Sequence, residues 1–264
     1  MMLFTRYLLL FAVVTGLTIN ATVCLALEPA ITGVVLLHGK GADPESLQPL
    51  GETLKTAGFS IEVPLLPWSG SANYSQPYQK AVKEIAGAIS RLRAQGARRI
   101  VVAGHSLGGN AALRWATTDE RLAAAVLLAP AHFPEGDTAL KLAGESVTKA
   151  REILRAKSAN QTSDFVEVPS GKTLLLPAAV YLSYYDPTGP AAMSLFAPRV
   201  KTRHIAWFAA ANNDPATQKF SALVVAHLPA TAHLERIDID SDHANITRAA
   251  ANSVVDWLKA LPGD

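Results

Sequence analysis

The chain has 264 residues, 49% of them hydrophobic and 17% charged, with a formal net charge of +2. That length accommodates one large α/β domain without demanding two. So small a net charge makes no extended basic field, which argues against nucleic acid as a partner. Seven histidines and a single cysteine show no metal-ligand spacing, which argues against a structural zinc site.

The first 26 residues stand apart from the rest. "MMLFTR" carries Arg6 and no acid, "YLLLFAVVTGLTI" is an apolar run of 13 residues, and "CLA" before Leu27 offers small residues at the −3 and −1 positions. This tripartite pattern predicts a secretory signal peptide over residues 1–26, and the run is short for a membrane span. An uncleaved anchor helix is the alternative. Cleavage after Ala26 removes Arg6, so the charge falls from +2 to +1, and it removes Cys24, the only cysteine. Lipid attachment at Cys24 is a lesser reading, because Ala21-Thr22-Val23 lacks the leucine and the small residue such a site prefers. An exported chain without disulfides fits the periplasm or secretion.

After residue 30, short apolar runs alternate with amphipathic segments, the pattern of a parallel sheet with helices on both faces. "ITGVVLLHG" (31–39) reads as a strand ending in a glycine turn, and "FSIEVPLLP" (59–67) as a second. Residues 77–97 read as a helix, with Ala81, Ile85, Ile89 and Leu92 at helical spacing and Gly96 at the stop. "RIVVAG" (99–104) is a strand, 107–118 a helix, and "LAAAVLLAP" (122–130) the next buried strand. Residues 131–202 break the rhythm: 138–157 reads as a helix with a basic face, and 177–197 is aromatic and interrupted by prolines. An insertion so long is usually functional or disordered, and its apolar content favours an ordered cap. "RHIAWFAAA" (203–211) and "AHLERIDI" (232–239) are two more strands. A helix over 245–261 closes the chain, with Ile246, Ala249, Val254, Trp257 and Leu258 toward the core.

Gly104-His105-Ser106-Leu107-Gly108 matches G-x-S-x-G between a strand and a helix, the context that makes the motif informative. The turn is so tight that side chains two positions either side of the serine would meet neighbouring backbone, and glycine avoids the collision. Ser106 is then held strained and exposed at a helix N-terminus, which favours developing negative charge. A structural glycine turn with an incidental serine is the bland alternative.

"GHSLGG" closely resembles the nucleophile elbow of the α/β-hydrolases, and the likeness extends over nearly all of residues 31–262. The resemblance implies an α/β-hydrolase fold whose opening antiparallel pair is missing, hence six mainly parallel strands flanked by helices. The insertion at 131–202 lies where that family places its cap. A serine hydroxyl needs a base, and the base a carboxylate; in this fold the order along the chain is Ser, Asp or Glu, then His. By that order His243, after the last strand, is the expected base and Asp214, after the preceding strand, the expected acid. Asp186 in "YYDPTG" is the runner-up acid, although its setting resembles a turn within the cap. Asp240 and Asp242 sit too close to His243 to orient its ring readily. His233 and His204 enter strands from the wrong end, His227 suits a helix tail, and His132 stands at the cap entrance.

The resemblance further assigns the oxyanion hole to two backbone N–H groups, that of Leu107 and that of Lys40 in the loop "HGKGAD". The Lys40 side chain reads as a solvated loop group, and His38 as a support for the loop. Trp68 and Tyr74, in "PWSGSANYS", are expected to line the acyl or alcohol pocket, with ordinary loop packing the alternative. The expected protein is an exported serine hydrolase acting on a small-molecule or lipid-like ester without cofactor or metal, closest to a carboxylesterase or lipase. Thioesterase or peptidase activity fits the same constellation, and a non-catalytic binding protein on the same fold is the reading from another class.

Overall fold

Val34 and Leu36 pack into one apolar cluster while Val35 and Leu37 pack into another, and all four are buried. A strand apolar on both faces needs cover on both. The computed structural model describes residues 25–158, 161–212 and 215–263. In chain order its elements are β1 (Leu25–Ala26), β2 (Thr32–Leu37), α1 (Gln48–Thr56), β3 (Ser60–Glu62), α2 (Lys80–Ala94), β4 (Arg99–His105), α3 (Leu107–Trp115) and β5 (Ala124–Leu128). Then come α4 (Asp137–Arg155), β6 (Thr162–Val166), β7 (Thr173–Pro177), α5 (Ala178–Tyr185) and α6 (Met193–Phe196). The chain ends with β8 (His204–Ala210), α7 (Pro215–Ala226), β9 (His233–Ile239), α8 (Ile246–Ala249), α9 (Ala251–Ala260) and β10 (Pro262–Gly263).

The main sheet has six strands in the order β3-β2-β4-β5-β8-β9, and every neighbouring pair is parallel. This is the expected α/β architecture. Leu50 and Leu54 of α1 with Val254 and Leu258 of α9 cover the Val34 face. Ile85, Ile89 and Leu92 of α2 with Leu113 of α3 cover the other. The chain steps from β2 to β3 in one direction and from β4 onward in the opposite one. The loops after β2 and β4 therefore diverge, leaving a crevice at the carboxyl ends of these strands, where α/β sheets bind ligands.

Two expected elements differ. The strand read over 59–67 is only Ser60–Glu62: Pro64 and Pro67 have no N–H to give a ladder, and the Leu66 N–H between them donates to the His38 ring instead. The closing helix is two helices, broken at Ala250, whose φ −86°, ψ −4° ends the first. The break shifts the apolar face by one residue, so Ala250 is buried and Ala249, expected in the core, is exposed.

Between β5 and β8, the insertion packs α4, the antiparallel β6–β7 hairpin and the short helices α5 and α6 onto the α2–α3 face. Its contact is aromatic. Tyr184 lies edge-on to Trp68, Tyr74 and Tyr78, with centroids 6.4, 4.9 and 5.9 Å away, and its hydroxyl donates to the Gln76 carbonyl at 2.9 Å. Asn110 on α3, fully buried, ties the layers: its amide donates to the carbonyls of His132 and Ala191 and its oxygen accepts from Tyr78. Among the described residues no helix is long and apolar enough to cross a membrane.

Candidate active site

Ser106 sits between β4 and α3 with φ 55° and ψ −118°, a conformation that costs a non-glycine residue about 1–3 kcal/mol. Three backbone bonds hold it there. Its N–H donates to Leu128 at 3.0 Å, and its carbonyl accepts from Asn110 and Ala131 at 3.1 and 3.2 Å. The flanking glycines are sterically required. A Cβ on Gly104 would stand 2.1 Å from the Gly108 carbonyl oxygen, and one on Gly108 would stand 2.1 Å from that of Leu37.

His243 follows β9, and its Nε2 lies 3.0 Å from Ser106 Oγ. A hydroxyl within hydrogen-bond reach of an imidazole can give up its proton as it attacks. His105 supports the arrangement from beneath: its Nε2–H donates to the His243 backbone carbonyl at 2.8 Å, and the two rings are 5.0 Å apart. Burial, and then the charge of His243, push His105 down to about 4, so it is neutral beside a base that must charge. Asp214 lies outside the described residues. Asn212, Ala216 and Thr217 line the same cleft as Ser106 and His243.

The loop after β2 closes on the elbow: a Cβ on Gly39 would stand 3.2 Å from Ser106 Cβ. His38 braces that loop. Its Nδ1–H donates to the Gly39 carbonyl at 3.0 Å and its Nε2 accepts from Leu66 N–H at 3.1 Å, the neutral tautomer that burial favours by lowering its pKa. Lys40 and Leu107 both line the cleft, and neither backbone N–H has an acceptor among the described residues. The Lys40 side chain is not the solvated group expected from sequence. Its Nζ donates to the Val168 carbonyl and lies 3.5 Å from Glu167 Oε1, tying the loop to the insertion. Burial pulls the ammonium pKa down and Glu167 partly restores it. Burial pushes Glu167 up, but the Ser170 hydroxyl and the Lys40 charge outweigh it, so its pKa is net lowered.

The cleft encloses about 650 Å³, within the range of small-molecule sites. Trp68 and Tyr74 do not line it. Trp68 is fully buried, stacked on Tyr78 at 5.8 Å, with its N–H on the His38 carbonyl. Tyr74 is buried behind the wall, its hydroxyl between Glu167 and Tyr185. The walls come from the insertion and α7 instead: Phe133, Pro134, Val168, Pro169 and Phe220. Asp186, the runner-up acid, is held by Arg151 at 2.6 Å and by Thr188 inside the insertion, away from the cleft. Asp242 accepts from the Asn245 backbone and side chain at the start of α8. Among the described residues no group of three His, Cys, Asp or Glu side chains could hold a metal ion.

With this geometry the sequence comparisons agree. Residues 34–255 match the alpha/beta hydrolase family model. The chain belongs to that family. Among solved structures of this alpha/beta hydrolase fold, the monoacylglycerol lipase of Paleococcus ferrophilus superposes with a TM-score of 0.64 at 18% identity, covering 87% of this chain and 95% of that one. A soluble variant of monoglyceride lipase from Saccharomyces cerevisiae, solved with a substrate analog, gives 0.59 at 13% identity, over 91% and 90%. The thioesterase domain from the curacin biosynthetic pathway gives 0.58 at 14%, over 88% and 92%. At these identities the likeness is one of fold. No curated protein matches the chain by sequence.

Sequence reasoning missed two residues that shape the site of this alpha/beta hydrolase. His105 had a signal, its place inside the elbow pentapeptide. Asn110 also had one, as a lone amide in an alanine-rich helix.

Proposed function

We propose that the protein is a serine hydrolase that cleaves ester-like bonds through an acyl-enzyme. The 3.0 Å approach of His243 Nε2 to Ser106 Oγ, with the serine held strained at the head of α3, carries this reading. Ser106 attacks the carbonyl carbon while His243 takes its proton. The tetrahedral oxyanion accepts from the Lys40 and Leu107 amides; one such donor is worth about 3 kcal/mol. His243 returns the proton to the leaving oxygen, and water, deprotonated by the same histidine, then releases the acid. Asp214 orients the imidazole and stabilises its charged form.

The apolar walls favour an ester with a hydrocarbon portion, a carboxylesterase- or lipase-like substrate. The fold neighbours include lipases and a thioesterase, so a thioester belongs in the assay beside the ester. Residues 1–26 act as the export signal of this proposed hydrolase. Cleavage there removes β1, the partner of β10, and leaves Leu27, which is buried and bonded through its N–H to Leu261, as the first residue. N-terminal sequencing of the exported protein should then begin at Leu27.

Rapid mixing with p-nitrophenyl butanoate tests the chemistry. A p-nitrophenol burst stoichiometric with enzyme, and a butanoyl mass increment on the Ser106 peptide, are expected. Folded protein giving neither burst nor adduct would favour the non-catalytic binding protein.

A further inference from the structure

Among the polar residues that line the cleft are two, close to Ser106, whose side chains the chemistry above does not use. One is His132. The preceding residue, Ala131, donates its N–H to the Ser106 carbonyl, and Asn110 holds the His132 carbonyl at 2.9 Å, so the His132 backbone is fixed beside the nucleophile. Its Nε2 lies 2.8 Å from the Tyr184 carbonyl. A carbonyl only accepts, so Nε2 carries the hydrogen and Nδ1 presents a lone pair. That lone pair has no partner among the described residues, and His132 is one of the residues that line the cleft. Burial, and then the nearby Lys40 charge, push this imidazole down to about 4, which keeps it a neutral acceptor.

Lys40 lines the same cleft. Of its three N–H donors, one goes to the Val168 carbonyl and one faces Glu167, which leaves one. The two side chains therefore offer one acceptor and one donor. The geometry points to a subsite, formed by His132 Nδ1 and Lys40 Nζ, that binds a hydroxyl group of the substrate; this rests on the hydrolase reading. A hydroxyl both donates and accepts. A carboxylate has no hydrogen for Nδ1 and would face Glu167, an ammonium would be repelled by Lys40, and a methyl group would leave both protein groups unpaired.

The hydroxyl can belong to the alcohol or the acyl portion, and two isosteric pairs separate these. The first is 2-hydroxyethyl octanoate against propyl octanoate, and the second is ethyl 3-hydroxyoctanoate against ethyl 3-methyloctanoate. We expect wild-type kcat/KM to favour the hydroxylated member of one pair by about tenfold or more, as for a site that pairs a hydroxyl. His132→Asn, which tolerates the left-handed φ of 74° at this position but is too short to reach, should bring that ratio close to one. Equal rates within both pairs, or a preference that survives His132→Asn, would overturn the subsite. Labelling of wild-type Ser106 by a fluorophosphonate runs alongside. Labelling without hydroxyl preference overturns the subsite alone, and absence of labelling overturns the hydrolase reading and the subsite together.

Discussion

Replacing Gly108 by alanine would place a methyl carbon 2.1 Å from the Leu37 carbonyl oxygen and 2.7 Å from that of His38. Both are backbone atoms at the end of β2, just before Lys40, so no side chain can swing aside. Real Cβ contacts stay beyond 3.0 Å, so the elbow and the Lys40 loop must separate by 3.0 − 2.1 = 0.9 Å. Forcing a carbon into a packed interior costs about 1–3 kcal/mol, or roughly 2–12 °C of melting temperature for a domain of this size. A displacement of about 1 Å between reacting groups costs about a hundredfold in rate. Gly144, in the middle of α4, is the control: a Cβ there meets nothing within 4 Å, and alanine should stabilise by about 0.5–1 kcal/mol. Thermal melting and kcat/KM on p-nitrophenyl butanoate read both effects. A Gly108→Ala protein with wild-type melting and wild-type turnover would refute this account of the elbow.

Three further outcomes are expected. Asp214→Asn should lower kcat by about ten-thousandfold, as removal of the charge that orients a triad histidine does, whereas Asp186→Asn should leave kcat unchanged and lower only stability; the reverse pattern would make Asp186 the acid. His105→Phe removes the donor to the His243 carbonyl and should lower kcat several-fold with little change in KM, and an unaltered kcat would show that His243 needs no such anchor. His105 and His132 titrate near 4 when folded, against 6.5 when free, so below pH 6.5 the unfolded chain binds protons that the native state refuses. Stability is therefore full above pH 6.5 and falls toward pH 4, with a loss on the order of 2 kcal/mol per histidine between pH 7 and 5. Urea midpoints at the two pH values measure it, and equal midpoints would contradict the burial of these rings.

The elbow was legible because its constraint is local: two glycines spaced around a serine answer to backbone contacts within one turn. His243 was legible only through the resemblance, whose chain order calls for a histidine after the last strand, and the strand pattern marks where that strand ends. What depended on distant partners was not legible. Lys40 read as solvated because Glu167 and Val168, which it meets, lie more than 120 residues away. Trp68 and Tyr74 looked like pocket residues because aromatic character does not say which side of a wall a ring occupies. Only the packing of Tyr184 and Tyr185 against them decides that. Ala249 was misplaced because nothing in "TRAAAN" marks the break at Ala250.

The most direct test of the central claim is the reaction of purified protein with a fluorophosphonate probe, followed by identification of the modified peptide. One label per chain is expected on Ser106, absent in Ser106→Ala and slowed at least a thousandfold, on the order of a triad's contribution, in His243→Ala. Folded wild-type protein that takes no label, or a Ser106→Ala protein that labels as fast as wild type, would contradict that claim.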